Sequence, residues 1–129
     1  MGAVELIDSR IVVWWFSRTR RLSHPVGQAI EDPQNKVYVS AAAAWELANK
    51  VNLGKLDAKS LLSNFPQLLL EEGFHRLGIS RDHALRAGTL PRHHNDLFDR
   101  TLVAQAQALN CPIVSADSVF DSYGVRRIW

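Results

Sequence analysis

The sequence predicts an α/β domain of three layers, a central and mostly parallel sheet flanked by helices. Three observations lead there. Short apolar runs alternate with stretches of helical spacing along all 129 residues. The helical stretches carry capping and breaking residues at their ends, among them Ser23, Ser40, Gly54, Gly73 and Ser80. Two of the apolar runs end in an acidic residue, Val-Glu-Leu-Ile-Asp8 and Ile-Val-Ser-Ala-Asp117. In an open parallel sheet the carboxyl ends of such strands line the crevice where ligands bind.

Taken in order, a strand over residues 3–7 is followed by a helix that begins near Ser9 and runs through Trp14 and Trp15. Ser23 or His24 with Pro25 opens a second helix, because proline suits a first turn, and Asp32-Pro33 closes it. Residues 37–39 form a short strand, and Ser40 caps an Ala-rich helix that reaches about Val51. One helical stretch covers 58–72 and stops at Gly73, a strand covers 74–79, and Ser80 caps a helix to about Gly88. After a loop over 91–95 come a helix at 96–109, a strand at 112–115 and a last strand at 125–128. No repeat, low-complexity tract or linker interrupts this order, so residues 1–129 read as one domain.

Composition excludes several classes. With 47% hydrophobic residues the chain can bury a core without staples, and a single cysteine, Cys111, permits no intrachain disulfide. The apolar run 11–16 is too short for a signal sequence, and nothing approaches the roughly 20 apolar residues of a membrane span. The expectation is a cytoplasmic protein with no membrane association. A net charge of +2 and a pI near 9.0 are mildly basic and only hint at a polyanionic partner.

Four carboxylates draw attention together: Asp8, Glu46, Asp99 and Asp117. Each has an ordinary explanation. Asp8 can cap the helix after it, Asp117 can cap a short turn before Val119-Phe120, and Asp99 with Asp96 resembles a capping pair. Glu46 can be a solvated helix-surface residue, although Trp45 beside it and the small Ala42 and Ala43 on its face favour approach to another layer. Jointly, four acids at strand ends or early helix positions on one edge favour a metal site. Converging carboxylates repel by roughly 4 kcal/mol per pair at about 4 Å and an effective dielectric of about 20. A cation stabilises such a cluster, and hard oxygen ligands favour Mg²⁺ or Mn²⁺. Arg10, Lys50, Arg92 and Arg100 neighbour the acids in sequence, an arrangement suited to a polyanion whose phosphate is bridged by a metal.

The segments Leu6-Ile7-Asp8-Ser9, Ala44-Trp45-Glu46-Leu47-Ala48, Leu53-Gly54-Lys55-Leu56, Leu90-Pro91 through His93-His94 and Asp96 to Phe98-Asp99-Arg100, and Ser115-Ala116-Asp117 together resemble PIN-domain ribonucleases. Within that family they are most similar to the VapC toxins of bacterial type II toxin–antitoxin pairs. The resemblance runs from residue 4 to Trp129. It implies a PIN-like domain that hydrolyses RNA phosphodiesters with one or two Mg²⁺ or Mn²⁺ ions. Asp8, Glu46, Asp99 and Asp117 carry over as the catalytic and metal-holding acids, with Ser9, Ser115 and Asp96 orienting them. Arg10, Lys50 and Arg100 are the expected RNA contacts. The resemblance further implies a homodimer, a small cognate antitoxin that blocks the site, and transfer RNA as the substrate class. In one place the chain departs from the subgroup: Ser9-Arg10 stands where Thr-His is common, a fixed cation in place of a titratable side chain.

Other readings are weaker. A serine-hydrolase triad would want a Gly-x-Ser-x-Gly elbow, which is absent, and Ser40, Ser115 and Ser118 suit capping. A phospho-accepting receiver domain would need paired acids after the first strand, where Ser9-Arg10 stands. An RNA- or partner-binding domain that cleaves nothing is the rival from another class. Trp14 and Trp15, about 100° apart on one helix, either share a wide apolar stripe or leave one ring for a partner.

Overall fold

The computed structural model describes residues 2–19 and 21–129. Its sheet has five strands, β1 (Val4–Ile7), β2 (Lys36–Ser40), β3 (His75–Leu77), β4 (Ile113–Val114) and β5 (Arg127–Ile128), in the order β3-β2-β1-β4-β5. Every pairing is parallel, so the expectation of a mostly parallel sheet becomes a wholly parallel one. Seven α-helices connect and cover it: α1 (Ser9–Phe16), α2 (His24–Glu31), α3 (Ala41–Asn52), α4 (Lys59–Ser63), α5 (Phe65–Glu71), α6 (Arg81–Gly88) and α7 (Leu97–Leu109). A 3-10 helix spans Ser118–Tyr123. Among the described residues no helix is long and apolar enough to cross a membrane.

Side chains alternate across each strand, and that alternation divides the core. Ile7, Val37, Val39 and Val114 face one layer, where they meet Ile11 and Val12 of α1, Val26 and Ile30 of α2, and Phe65 and Leu69 of α5. Leu6 and Ile113 face the other, where they meet Leu102, Val103 and Ala106 of α7 and Phe120 of the 3-10 helix. Helix α3 serves both layers, Ala43 and Leu47 in the first and Ala42 in the second. The rings of Trp14 and Trp15 are half-buried against the first layer, Trp14 beside Trp129 at 5.9 Å and Trp15 beside Phe74 at 6.3 Å between centroids. The stripe geometry therefore packs both.

Capping follows the sequence closely. Asp8, Ser23, Ser40, Ser80 and Asp96 each accept a backbone N–H at the start of a helix. One expected element splits. The stretch 58–72 forms α4 and α5, separated at Asn64, because Pro66 has no N–H to donate back to Leu62 and so cannot continue α4. Its place in the first turn of α5 costs no hydrogen bond. The strand expected at 74–79 is shorter, ending at Leu77 as an edge strand.

The chain steps outward from β1 to β2 to β3, then returns to place β4 on the other side of β1. That reversal creates a crevice at the carboxyl ends of β1 and β4. Asp8 follows β1 directly and Ser115 follows β4 directly, with Leu6 opposite Ile113 and Ile7 opposite Val114.

At the opposite end of β1, Glu5 is 1% exposed. Its Oε1 accepts from Asn35 Nδ2 at 3.0 Å, while Oε2 is buried without a partner. Burial, reinforced by the charge of Asp32, raises its pKa from 4.5 to about 7. An acid held neutral in the fold contributes its full stability below pH 4.5 and loses it as the pH rises to about 7. The parent protein should therefore lose on the order of 3 kcal/mol between these limits. Glu5→Gln should flatten that slope, as read by denaturant melts from pH 4 to 8; an unchanged slope would clear Glu5 as its source.

Candidate active site

Local structure positions the first acid. Asp8 ends β1 in extended conformation (φ −80°, ψ 173°) and caps α1, its Oδ1 accepting from Ile11 N at 2.9 Å. Only 8% of it is exposed. Desolvation raises its pKa and the charge of Glu46 adds to this, while the Ser115 hydroxyl, the Ile11 N–H and Arg10 oppose the rise. The ordinary role of Asp8 as a cap and its place at the crevice are thus the same geometry.

Glu46 comes from the second turn of α3 and is 7% exposed. Its Oε1 accepts a short bond from Ser9 Oγ at 2.6 Å, and its Oε2 lies 3.3 Å from Lys50 Nζ one turn later. A solvated surface Glu is therefore not what α3 presents. Ser9 and Glu46 are 37 residues apart in sequence, and the small Ala43, packed in the same layer as Ile11 and Val12, lets α3 approach α1 closely enough for the bond.

Asp99 lies in the first turn of α7, where Asp96 caps the helix by accepting Asp99 N at 2.9 Å. Its pKa rises to about 6, by desolvation first, then by the charges of Asp96 and Glu46, against the pull of His94. Glu46 thus feels both Asp8 and Asp99 and stands electrostatically between them. Asp117 stands apart from this set. It is exposed at the start of the 3-10 helix, where its Oδ1 accepts from Val119 N at 3.0 Å and its own N–H donates to Ser115 Oγ at 2.9 Å. Ser115 is fully buried and is the link between Asp117 and Asp8.

Could such a set hold a metal? The donors are carboxylate oxygens with no thiol among them, which suits a hard divalent cation. Two of the three carboxyls have pKa values raised partly by a neighbouring charge, which a cation would relieve. In the arrangement seen, the side chains are turned onto internal partners, Glu46 onto Ser9 and Lys50, Asp99 towards His94. Among the described residues no three acidic, histidine or cysteine side chains converge closely enough to hold an ion without rotating.

Two residues were not legible as parts of the site. His94 Nδ1 is 2.6 Å from Tyr123 Oη and His94 Nε2 is 3.3 Å from Asp99 Oδ2. Tyr123 Oη accepts from Arg100 Nη1 at 3.4 Å, so its own proton is directed at Nδ1, leaving the Nε2 proton facing Asp99. His94 falls in a segment that carries the family resemblance, without a role assigned to it, and nothing signalled Tyr123, 29 residues away.

Arg100 requires a correction. Expected at an RNA surface, it is 5% exposed, and its guanidinium donates to the carbonyls of Ala87, Leu90, Pro91 and His94 as well as to Tyr123. Both Nη atoms of the fork are engaged, and they form the hydrogen-bonding core of the loop before α7. Lys50 is 41% exposed at its side chain but engaged with Glu46, and Arg10 is exposed.

The parallel α/β sheet carries carboxylates at its switch point, and likeness to known proteins defines its class. The PIN domain profile matches residues 6–125, and the chain belongs to that family. Solved structures share the fold at low identity. VapBC2 from Rickettsia felis bound to a DNA fragment from their promoter gives a TM-score of 0.71 and 14% identity over 98% of both chains. VapBC-1 from nontypeable Haemophilus influenzae gives 0.68 and 15% over 97% of this chain and 96% of that one. FitAcB from Neisseria gonorrhoeae gives 0.65 and 15% over 97% and 96%. No curated protein matches the sequence.

Two outcomes follow from this geometry. Replacing Arg100 by Met keeps bulk but leaves several buried carbonyls without donors, so the variant should lose at least about 3 kcal/mol in chemical denaturation. A loss within error would show that the loop is held by other means. The Asp99 carboxyl, raised from 3.8 to about 6 without metal, costs the metal-free fold stability as pH rises between those values. In EDTA at pH 8, Asp99→Asn should therefore melt above the parent. Millimolar Mg²⁺ should stabilise the parent at pH 8 and far less at pH 5, where the proton competes, and should leave the variant unmoved.

Proposed function

We propose that the chain is a metal-dependent endoribonuclease of the VapC type, a toxin neutralised by a cognate antitoxin. The observation that carries this reading is the buried, mutually charged set Asp8, Glu46 and Asp99 at the switch point of a PIN-domain sheet. Asp8 and Asp99 would be the principal holders of Mg²⁺ or Mn²⁺ in this proposal, with Glu46 and Asp117 as ligands directly or through water. When bound, the ion would lower the pKa of a water, orient the scissile phosphate and offset charge on the leaving oxygen. Ser9 fixes the Glu46 carboxylate by its short bond, and the Ser115 hydroxyl favours the charged form of Asp8 while accepting the Asp117 N–H. Lys50 stands as counter-cation to Glu46, and would be available to a substrate phosphate if Glu46 turned to a bound ion. His94, held by Tyr123, steadies Asp99.

Partners follow from the same reading. The similar structures are described as VapBC and FitAcB assemblies, and one further match is a toxin–antitoxin complex from Klebsiella pneumoniae. A small antitoxin is assigned to this chain on that basis. A homodimer is assigned because Trp45, 58% exposed and edge-on to Phe98 at 5.0 Å, forms with Leu97, 69% exposed, an apolar rim beside the site. RNA, transfer RNA in particular, is the substrate class, and the cytoplasm the compartment, in keeping with a single buried cysteine.

Purified protein should cleave RNA in Mg²⁺ or Mn²⁺ and stop in EDTA. Asp8→Asn and Asp99→Asn should each abolish cleavage and relieve the growth arrest caused by expression without antitoxin, with far-UV dichroism unchanged. Sequencing of cleaved RNA ends after a brief pulse of expression would name the target. If both variants cleave as the parent does, the acids are not the catalytic set; if the parent binds RNA without cleaving it in either metal, the domain is a binding module.

A further inference from the structure

Beside the acids lies a cleft of about 430 Å³ that the nuclease reading leaves without a task. Arg10, Trp14, Arg21, Lys50 and Lys55 line it, together with Ser9. Four of these are cations, brought from α1, the loop before α2, the end of α3 and the loop after it. Among the described residues only Lys50 of these four has a carboxylate partner, and that partner is Glu46. The guanidinium carbons of Arg10 and Arg21 stand 5.9 and 6.0 Å from the centroid of the same Trp14 ring. Both guanidinium groups line the same cleft as that ring, whose negative face attracts each of them, and an anion entering the cleft would meet two cations already held in place.

The cleft is also continuous with the site. Ser9 and Lys50 line it while both bind Glu46, and Arg10 stands in the first turn of α1, two residues after Asp8. A polymer with one phosphate at the acids and its chain leaving on this side must pass through these cations. We propose that the cleft is a phosphate-binding channel for the single-stranded RNA flanking the scissile bond, in which Arg10 and Arg21, held together by Trp14, grip one phosphodiester and Lys55 receives the next. An isolated anion would need one fork; a polyanion uses a row of separate cations on several elements. Lys50 and Lys55 complete that row. The identity of the strand rests on the nuclease reading, but the binding does not.

The test is anisotropy of a short labelled single-stranded RNA with the full chain in EDTA, where no metal-dependent cleavage occurs, over a series of salt concentrations. Arg10→Gln with Arg21→Gln should weaken binding about tenfold and lower the slope of log affinity against log salt by about 1 for each phosphate no longer neutralised. Lys55→Gln should lower it further. Arg10→Lys with Arg21→Lys keeps the charge and should lie between, which serves if the Gln pair folds poorly. Arg81→Gln, on α6 away from the cleft, should match the parent.

Parental affinity and slope in the Gln pair would overturn the proposal, as would an equal loss in Arg81→Gln, since the effect would then be general charge. It is equally overturned if the Gln pair binds RNA normally but loses a poly-glutamate peptide, which would assign the cleft to an acidic protein partner. Cleavage retained by Asp8→Asn and Asp99→Asn, with RNA binding still lost in the Gln pair, would overturn the catalytic reading and leave the channel standing.

Discussion

The parallel pairing of β1 with β4 is the constraint on which the remainder of the site depends. Two residue pairs define its register, Leu6 with Ile113 and Ile7 with Val114. A slip of one residue would exchange the two core faces and carry Asp8 away from Ser115. The register is protected because both strands are buried on both sides, with Leu6, Ile7, Ile113 and Val114 all fully excluded from solvent. The energy that places the candidate carboxylate Asp8 is thus mostly hydrophobic, and is supplied by buried residues of the two strands.

Within the crevice, burial and charge oppose each other. Three carboxylates at low exposure would all be unstable as anions, and the fold divides the burden among unlike partners: a backbone N–H and a serine for Asp8, a serine and a lysine for Glu46, an imidazole for Asp99. Each partner favours the charged form, and none is strong enough to cancel desolvation at Asp8 or Asp99. The site is therefore electrostatically incomplete by itself. A cation completes it, and the basic cleft that opens beside Ser9 and Lys50 extends the same logic to a polyanion.

Arg100 shows how a surface-looking residue can become internal scaffolding. Five oxygens from three segments meet its guanidinium, which ties the end of α6, the loop after it and the 3-10 helix to the first turn of α7. Tyr123 joins that network to His94 and so to Asp99. The geometry of one candidate metal ligand is consequently tied to a buried arginine one residue along the chain.

Local chemistry in the sequence was sufficient for the layer architecture, for nearly every helix start and for the candidacy of the acids. Caps at Asp8, Ser40, Ser80 and Asp96 are short-range hydrogen bonds, and strand burial follows from apolar runs, so both are written in neighbouring residues. The break at Asn64 was equally local, since Pro66 dictates it, and an unbroken helix was expected only because its apolar residues continue across. Tertiary structure alone decided what meets what across long separations. It turned Glu46 inward onto Ser9, left Asp117 at the rim, withdrew Arg100 from the surface and gathered Arg10 and Arg21 at Trp14. The reason is physical: a carboxylate or guanidinium has the same local preferences wherever it is placed, and whether it holds a metal, a phosphate or its own loop depends on burial and on partners the chain brings from elsewhere.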